Sequence, residues 1–168
     1  MIDKLISILT LTSGLGCGLT AGVFFAFSGF VMKALARLSP AHGIAAMQSI
    51  NIVVIYPAFF AVFFGTAAGC ILLAVSSLFR WQRPGALCLL IGSLLYLVGT
   101  ILVTMVFNVP RNNALAAVDP ANNNGARLWA DYVVNWTAWN HVRTIAALAA
   151  AALLTIALCR QLMLAPPR

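Results

Sequence analysis

A cation, an amide and three aromatic residues share one face of a predicted helix. Trp129, Tyr132, Trp136, Asn140 and Arg143 follow one another at intervals of three, four, four and three residues. At about 100° per residue, these side chains fall within an arc of roughly 80° on an α-helix. Guanidinium and amide groups donate hydrogen bonds, so this set, the Arg143 stripe, can bind an oxygen-bearing ligand. We therefore predict that the Arg143 stripe faces a pocket.

Arg143 also has less specific explanations. It lies in an apolar segment, where an ionisable side chain usually marks a function or a polar partner. Its side chain could instead extend to lipid headgroups, pair with Asp131, or hold carbonyl groups at a helix end. The aromatic residues would then form a belt at the membrane interface. The face shared with Trp136 and Asn140 favours the pocket.

Two histidines are candidate bases. His141 lies about 140° from the centre of the Arg143 stripe, so it would contribute only if the helix breaks near Asn140 or faces a second helix. His42 lies in a long connection and could approach the site from above. No carboxylate accompanies either histidine, so we predict no metal site. The sequence also lacks a glycine-rich phosphate loop, a Ser/His/Asp set, and haem or dinucleotide motifs.

The composition is that of a membrane protein. Of 168 residues, 62% are hydrophobic and 8% are charged, and the mean hydropathy is +0.99. A soluble domain of this size cannot bury so much apolar surface. The net charge of +7 is scattered without a basic cluster, which fits anionic lipid headgroups and excludes a nucleic-acid-binding patch. The four cysteines lie in apolar segments without metal-ligand spacing, and we expect buried, unreactive thiols.

Four uncharged segments are long enough to cross a bilayer. We predict spans at about 5–32, 52–79, 86–107 and 138–159. They form an all-α, four-helix membrane bundle in a single domain covering residues 1–168. The first segment is too long for a cleavable signal peptide, so we expect it to be retained.

Small residues recur every four positions in the first two spans. The two series are Gly14, Gly18, Gly22 and Ala26 in the first span, and Ala61, Gly65 and Gly69 in the second. This spacing lets helix backbones approach closely in lipid. We expect the two helices to pack on each other or on a neighbouring subunit, in a homo-oligomer.

The topology gathers the polar motifs at one end of the bundle. With four spans, the long connections at about 33–50 and 108–137 lie on the same membrane face, where we expect the site. Lysine and arginine residues divide five to four between the faces, with Lys4, Arg80, Arg83, Arg160 and Arg168 against Lys33, Arg37, Arg111 and Arg127. The tight turn at 80–85 favours cytoplasmic termini in a bacterial inner membrane.

Asparagines flank a proline at the end of the third span. Pro110 should bias Val109 away from helix, so we predict that the backbone turns out of the span there. Asn108 and Asn112 could simply satisfy the free groups of a helix end. They could also present amides to a ligand. The number of amides at this turn, from Asn108, Asn112 and Asn113, favours this second interpretation.

Gln48 and Asn51 are three residues apart and share a face at the predicted start of the second span. They could cap the helix or form a polar wall opposite the Arg143 stripe. Ser28 lies in a phenylalanine-rich string, residues 24–30, whose rings we expect mostly to contact lipid or pack. Its hydroxyl could bond to its own helix, which we favour, or reach the site.

Four sequence elements resemble the anthrone-oxygenase family, a group of small membrane proteins that includes many domains of unknown function. They are Gly-Val-Phe-Phe-Ala-Phe-Ser-Gly-Phe-Val-Met at 22–32, Met-Gln-Ser-Ile-Asn at 47–51, Asn108-x-Pro110-x-Asn112, and Trp136-x-x-Trp139-Asn140-x-x-Arg143-Thr144. The elements occur in the family's order, and the resemblance covers most of the chain. Arg111 is a departure, because it places a cation where an apolar residue is expected.

The resemblance implies a cofactor-independent oxygenation of an anthrone to an anthraquinone by O2, through the enolate. A flat, apolar substrate would partition into lipid and stack on Trp129, Trp136 or Trp139. Donors to the oxyanion would be Arg143 and the amides of Asn140, Asn108, Gln48 and Asn51.

The identity of the base and the function class stay open. The base would be His42, His141, Tyr132 as a phenolate, or a bound water. Two other function classes fit the sequence: a membrane protein that binds or transports a small molecule, and a structural or assembly subunit without catalysis.

Overall fold

Five helices make up the described part of the chain. The computed structural model describes residues 2–120 and 125–163, so Arg168 of the charge comparison lies outside it. The helices are α1 (Ile2–Leu35), α2 (Pro40–Val53), α3 (Pro57–Phe79), α4 (Ala86–Ala116) and α5 (Gly125–Met163). All but α2 are long and apolar enough to cross a membrane. The predicted all-α membrane bundle is therefore confirmed.

The four long helices pack in a ring. α5 packs against α1 and α4, and α3 completes the ring by packing against the same two helices. The centre of the bundle contains many small side chains beside Leu73, Tyr96 and Leu154. Four of its alanines have no exposed surface: Ala21, Ala147, Ala150 and Ala157. Small residues keep helix axes close, which is how apolar helices gain packing energy in lipid.

α1 and α3 pack on each other as expected, but only part of the predicted set of small residues is in the contact. Gly69 of the predicted set lies against Ser13, and Gly16, outside the set, lies against Thr66. Gly18, Gly22 and Gly65 have no neighbouring atoms within 4 Å of where a Cβ would be, so these three members do not form it. A four-residue step advances about 40° around a helix, so a long series leaves the contact face. The homo-oligomer predicted through the glycine series stays a prediction.

The start of the second spanning helix was predicted incorrectly. Residues 47–53 belong to α2, a separate helix that begins with Pro40, and α3 starts only at Pro57. Tyr56 is extended, with φ −124° and ψ 152°. Proline has no N–H to donate within a helix but fits its first turn, so Pro57 starts a new helix. Gln48 and Asn51 therefore do not cap the spanning helix.

The chain does not turn out of the third span at Pro110. α4 continues to Ala116, and Val109 is helical with φ −60° and ψ −46°. A π-helical segment, Thr104–Asn108, precedes the proline, and such wider turns accommodate local disruption of the α-helical hydrogen bonds. Arg111 Nη1 also donates a hydrogen bond to the Phe107 carbonyl oxygen at 2.6 Å. The Phe107 carbonyl oxygen thus has a hydrogen-bond partner near the proline, and the helix does not end there.

Close packing at Gly99 gives a stability test. A Cβ on Gly99 would overlap the Cβ of Ala146, which cannot rotate away. Gly99→Ala should therefore lower the melting temperature, with an overpacking cost of about 1–3 kcal/mol. The measurement is tryptophan fluorescence of the detergent-solubilised protein during heating.

The matched control is Gly18→Ala, because a Cβ there would have no neighbour within 4 Å. Equal melting temperatures for the two variants would contradict the described packing of α4 against α5.

Candidate active site

The Arg143 stripe faces the interior, as predicted from its spacing. Its five residues lie on the uninterrupted helix α5, and all are buried. Arg143 itself is 4% exposed, and Asn140 has no exposed surface. An arginine buried to this degree is not extended to lipid headgroups.

The charge of Arg143 is surrounded by hydroxyl, amide and aromatic groups. Nη1 donates to Thr104 Oγ1 at 3.2 Å, and Nη2 donates to Asn140 Oδ1 at 2.6 Å. The Cζ atom lies 4.2 Å from the ring centroid of Phe24 and 5.1 Å from that of Trp136, within range of a cation–π interaction. No contact of Arg143 in the described residues is to a carboxylate.

The alternative that Arg143 pairs with Asp131 is wrong. The two residues are twelve positions apart on one helix, which is about 18 Å along the axis. Arg143 Nε is buried and has no hydrogen-bond partner in the described structure. The guanidinium therefore keeps donor capacity.

Asn140 connects the cation to α1. Its Nδ2 donates to the Phe24 carbonyl oxygen and to Ser28 Oγ, each at 2.7 Å, while its Oδ1 accepts from Arg143. Ser28 Oγ also lies 3.3 Å from Thr144 Oγ1. The expectation that Ser28 bonds to its own helix is wrong, because its hydroxyl joins α1 to α5. Asn140 thus bonds through both its amide nitrogen and its amide oxygen, and it links Arg143 to α1.

A cavity of about 310 Å³ lies beside Arg143, between all five helices. This volume is at the lower end of the roughly 300–1,000 Å³ found for small-molecule sites. Its polar lining consists of Asn51, Thr104, Asn112 and Arg143. The rest of the lining is apolar, with these members: Val23, Phe24, Phe27, Met47, Ile50, Val54, Ile55, Phe59, Phe60, Phe63, Phe64, Met105, Val109 and Trp136.

Phenylalanines of α3 form the wall that sequence reasoning missed. Phe59 and Phe63 stack with centroids 5.7 Å apart, and Phe60 and Phe64 stack at 5.4 Å. Both pairs are four residues apart, the spacing that brings side chains together on a helix. That spacing, directly after Pro57, was the signal available in the sequence. In the 24–30 string, Phe24 and Phe27 line the cavity, whereas Phe25 and Phe30 are exposed.

Asn112 and Asn108 hold the aromatic residues of the Arg143 stripe. Asn112 Oδ1 accepts hydrogen bonds from Tyr132 Oη at 2.9 Å and from Trp136 Nε1 at 2.8 Å. Asn108 Nδ2 donates to the Trp136 carbonyl oxygen at 3.2 Å. Of these two amides only Asn112 lines the cavity.

Three aromatic residues of the predicted site lie outside the cavity lining. Trp129 and Tyr132 stack on each other with centroids 5.7 Å apart and belong to a core cluster with residues of α2 and α4. Trp139 stacks on Phe107 at 3.5 Å. Among the tryptophans of the described residues, only Trp136 lines the cavity.

The remaining polar residues of the predicted site do not line the cavity. Gln48 Nε2 donates to the carbonyl oxygens of Leu115 and Val118, each at 2.9 Å, and so ties α2 to the end of α4. His42 and His141 are exposed on the outside of the bundle, and neither lines the cavity. Arg111 does not line it either, because its side chain folds back onto Phe107.

The unpaired charge predicts an unusual pair of stability effects. Arg143→Met should leave the melting temperature unchanged or raise it. The variant removes the desolvation cost of a buried ion, several kcal/mol, which exceeds the roughly 1–3 kcal/mol lost when Asn140 Oδ1 loses its partner. Asn140→Leu should lower the melting temperature by several degrees, because it leaves Ser28, Phe24 and Arg143 without their amide partner.

The measurement is the melting temperature of each variant and of the unsubstituted protein in thermal unfolding. Strong destabilisation by Arg143→Met would mean that the cation serves the fold rather than a ligand.

Comparisons with known proteins bear on the same residues. No curated protein and no solved structure matches the chain. A family model described as anthrone oxygenase matches residues 56–153. The match begins just before α3 and includes Asn108, Asn112, Asn140 and Arg143. The chain therefore belongs to the anthrone-oxygenase family.

Proposed function

We propose that the protein binds a flat aromatic ketone of the anthrone type in this cavity and promotes its oxidation by O2. One observation carries the proposal: a buried cation without a carboxylate partner lies at the edge of a cavity walled by aromatic rings. Such a charge is costly to bury, so membrane proteins that keep one usually use it. Family membership supports the same class of activity.

The lining suits a ligand with one oxygen-bearing edge and an apolar body. Aromatic rings of α1, α3 and α5 offer faces and edges for stacking. A guanidinium has five N–H donors, and Thr104 and Asn140 use two of those of Arg143. The remaining donors can hold a ligand oxygen.

The proposed chemistry uses Arg143 to stabilise an enolate. Loss of a proton from the central CH2 of an anthrone leaves a negative charge delocalised onto the ketone oxygen. A fixed cation in a low-dielectric cavity lowers the free energy of that anion. Asn140, Thr104 and the Phe24 ring hold the guanidinium in place before the ligand arrives, so little reorganisation is needed.

The enolate then supplies the electrons that reduce O2. A C–O bond forms at the former CH2 carbon and gives a hydroperoxide, which loses water to become the second quinone carbonyl. Anthrone and O2 thus yield anthraquinone and water, with all atoms accounted for. The ligand itself is oxidised, and O2 is both the oxidant and the source of the new oxygen.

We propose water as the proton acceptor. The cavity lining includes no histidine, aspartate, cysteine or tyrosine. The Tyr132 hydroxyl donates to Asn112, which does not favour a phenolate base. Asn51 and Asn112 are the polar lining residues away from Arg143 and could hold a water at that edge of the cavity.

Turnover of a hydroxyanthrone tests the proposal. Oxygen uptake and quinone absorbance should exceed the spontaneous rate, and the acceleration should survive a chelator. Arg143→Met should reduce kcat by about 10²–10³-fold, the usual loss when one oxyanion donor is removed. Arg143→Lys should retain part of the rate, because it keeps the charge but loses the planar donor set.

The matched control is Arg127→Met, which removes an exposed cation of the same helix away from the cavity. It should leave turnover unchanged. Full activity in Arg143→Met, or no acceleration by the unsubstituted protein, would refute the enolate mechanism. Binding of the ligand without turnover would instead favour a carrier.

A further inference from the structure

The cavity opens sideways through the surface of the bundle. Five residues of its lining are also exposed on the outside: Phe60 is 36% exposed, Phe64 is 46%, Met105 is 57%, Val109 is 38% and Ile55 is 63%. Phe60 and Phe64 belong to α3, and Met105 and Val109 belong to α4. These four lie within membrane-spanning helices, whereas Ile55 lies in the connection between α2 and α3. The opening between α3 and α4, which we name the lateral opening, therefore faces hydrocarbon.

The lateral opening results from the way α4 changes neighbours. α3 packs against the first part of α4, from Ala86 to Leu102. The later part of α4 packs against α2 instead of α3, and α5 packs along both parts. Two π-helical segments, Leu97–Leu102 and Thr104–Asn108, lie where this change occurs. Beyond them α3 and α4 no longer close on each other.

In the described residues, α1, α2, α4 and α5 are closely packed where they meet toward the long connections. A core cluster joins α1, α2, α4 and α5 there, and it includes Ile44, Met47, Leu115, Trp129 and Tyr132. Each of these side chains is at most 4% exposed. The two hydrogen bonds of Gln48 fasten α2 over this cluster. A three-ring ligand has no path through it.

We infer that the ligand enters from the bilayer through the lateral opening, between Phe60 and Phe64 on one side and Met105 on the other. The identity of the ligand rests on the proposed function. No side chain that frames the opening is polar, so the route admits a neutral, lipid-partitioned ring system. It excludes carboxylated, sulfated or glycosylated derivatives, whose transfer through hydrocarbon is costly.

Entry through the lateral opening determines where the ligand is neutral and where it is charged. The ketone enters uncharged, loses its proton only beside Arg143, and leaves again as a neutral quinone. The reaction that supplies the substrate must therefore release it as a free, unconjugated ketone able to enter the membrane. A supplier that leaves the ring system attached to a carrier protein or a sugar would not feed this site.

Binding kinetics of a flat quinone test the route independently of turnover. Met105→Trp narrows the opening, and we expect it to slow both association and dissociation of a fluorescent hydroxyanthraquinone by at least about tenfold. Its Kd should change much less, because a change in access alters both rates together. The measurement is stopped-flow fluorescence of the quinone with the protein in lipid nanodiscs.

The matched control is Leu102→Trp, one turn earlier on the same helix, 52% exposed and outside the cavity lining. It should leave both rate constants unchanged. Unchanged rates in Met105→Trp, or a change in only one of the two rate constants, would overturn the lateral route while leaving the proposed function intact. Failure of the unsubstituted protein to bind the quinone would overturn the proposed function, and the route with it.

Discussion

The burial of one positive charge without a carboxylate partner constrains the surrounding structure. Removing an ion from water costs several kcal/mol unless polar groups replace the lost hydration. Here a hydroxyl, an amide oxygen and two ring faces replace part of it. The amide that accepts from Arg143 must itself be fixed, and its bonds to Phe24 and Ser28 fix it to α1. Three helices thus meet at the guanidinium because its charge has to be satisfied.

The cavity is held open by packing on both of its sides. Below it, the alanine-rich centre keeps α1, α4 and α5 close together. Above it, large side chains of the second core cluster hold α2 across the bundle. Asn112 bonds to both Tyr132 and Trp136, so the aromatic wall of α5 is fixed relative to α4. A preformed site of this kind loses little conformational entropy when a ligand binds.

Sequence periodicity predicted the features that depend on one helix alone. The presence of four membrane-spanning helices and the inward face of the Arg143 stripe follow from hydropathy and a 3.6-residue repeat, and the structure contains both, although the helix bounds differ from the predicted spans. Features that depend on two helices were harder to predict from the sequence.

The contact of Gly16 with Thr66 and the phenylalanine wall of α3 depend on how the helices are rotated about their axes. Pro110 misled because Val109 keeps α-helical angles in spite of the steric bias against them, next to a π-helical turn that accommodates the disrupted hydrogen bonds. Trp129, Tyr132 and Trp139 have the right residue types, but their rings are occupied by packing.

The π-helical segments in α4 divide one continuous rod into two independent faces. An extra residue in a turn rotates every later side chain by about 100° relative to an unbroken α-helix. Residues before the segments therefore pack on α3 and α5, and residues after them pack on α2 and α5. Substitutions in the first half can tune the thickness or stability of the bundle without reorienting Thr104 or Asn112. The residues of α4 that set ligand preference and the residues that pack the membrane bundle can therefore change separately in evolution.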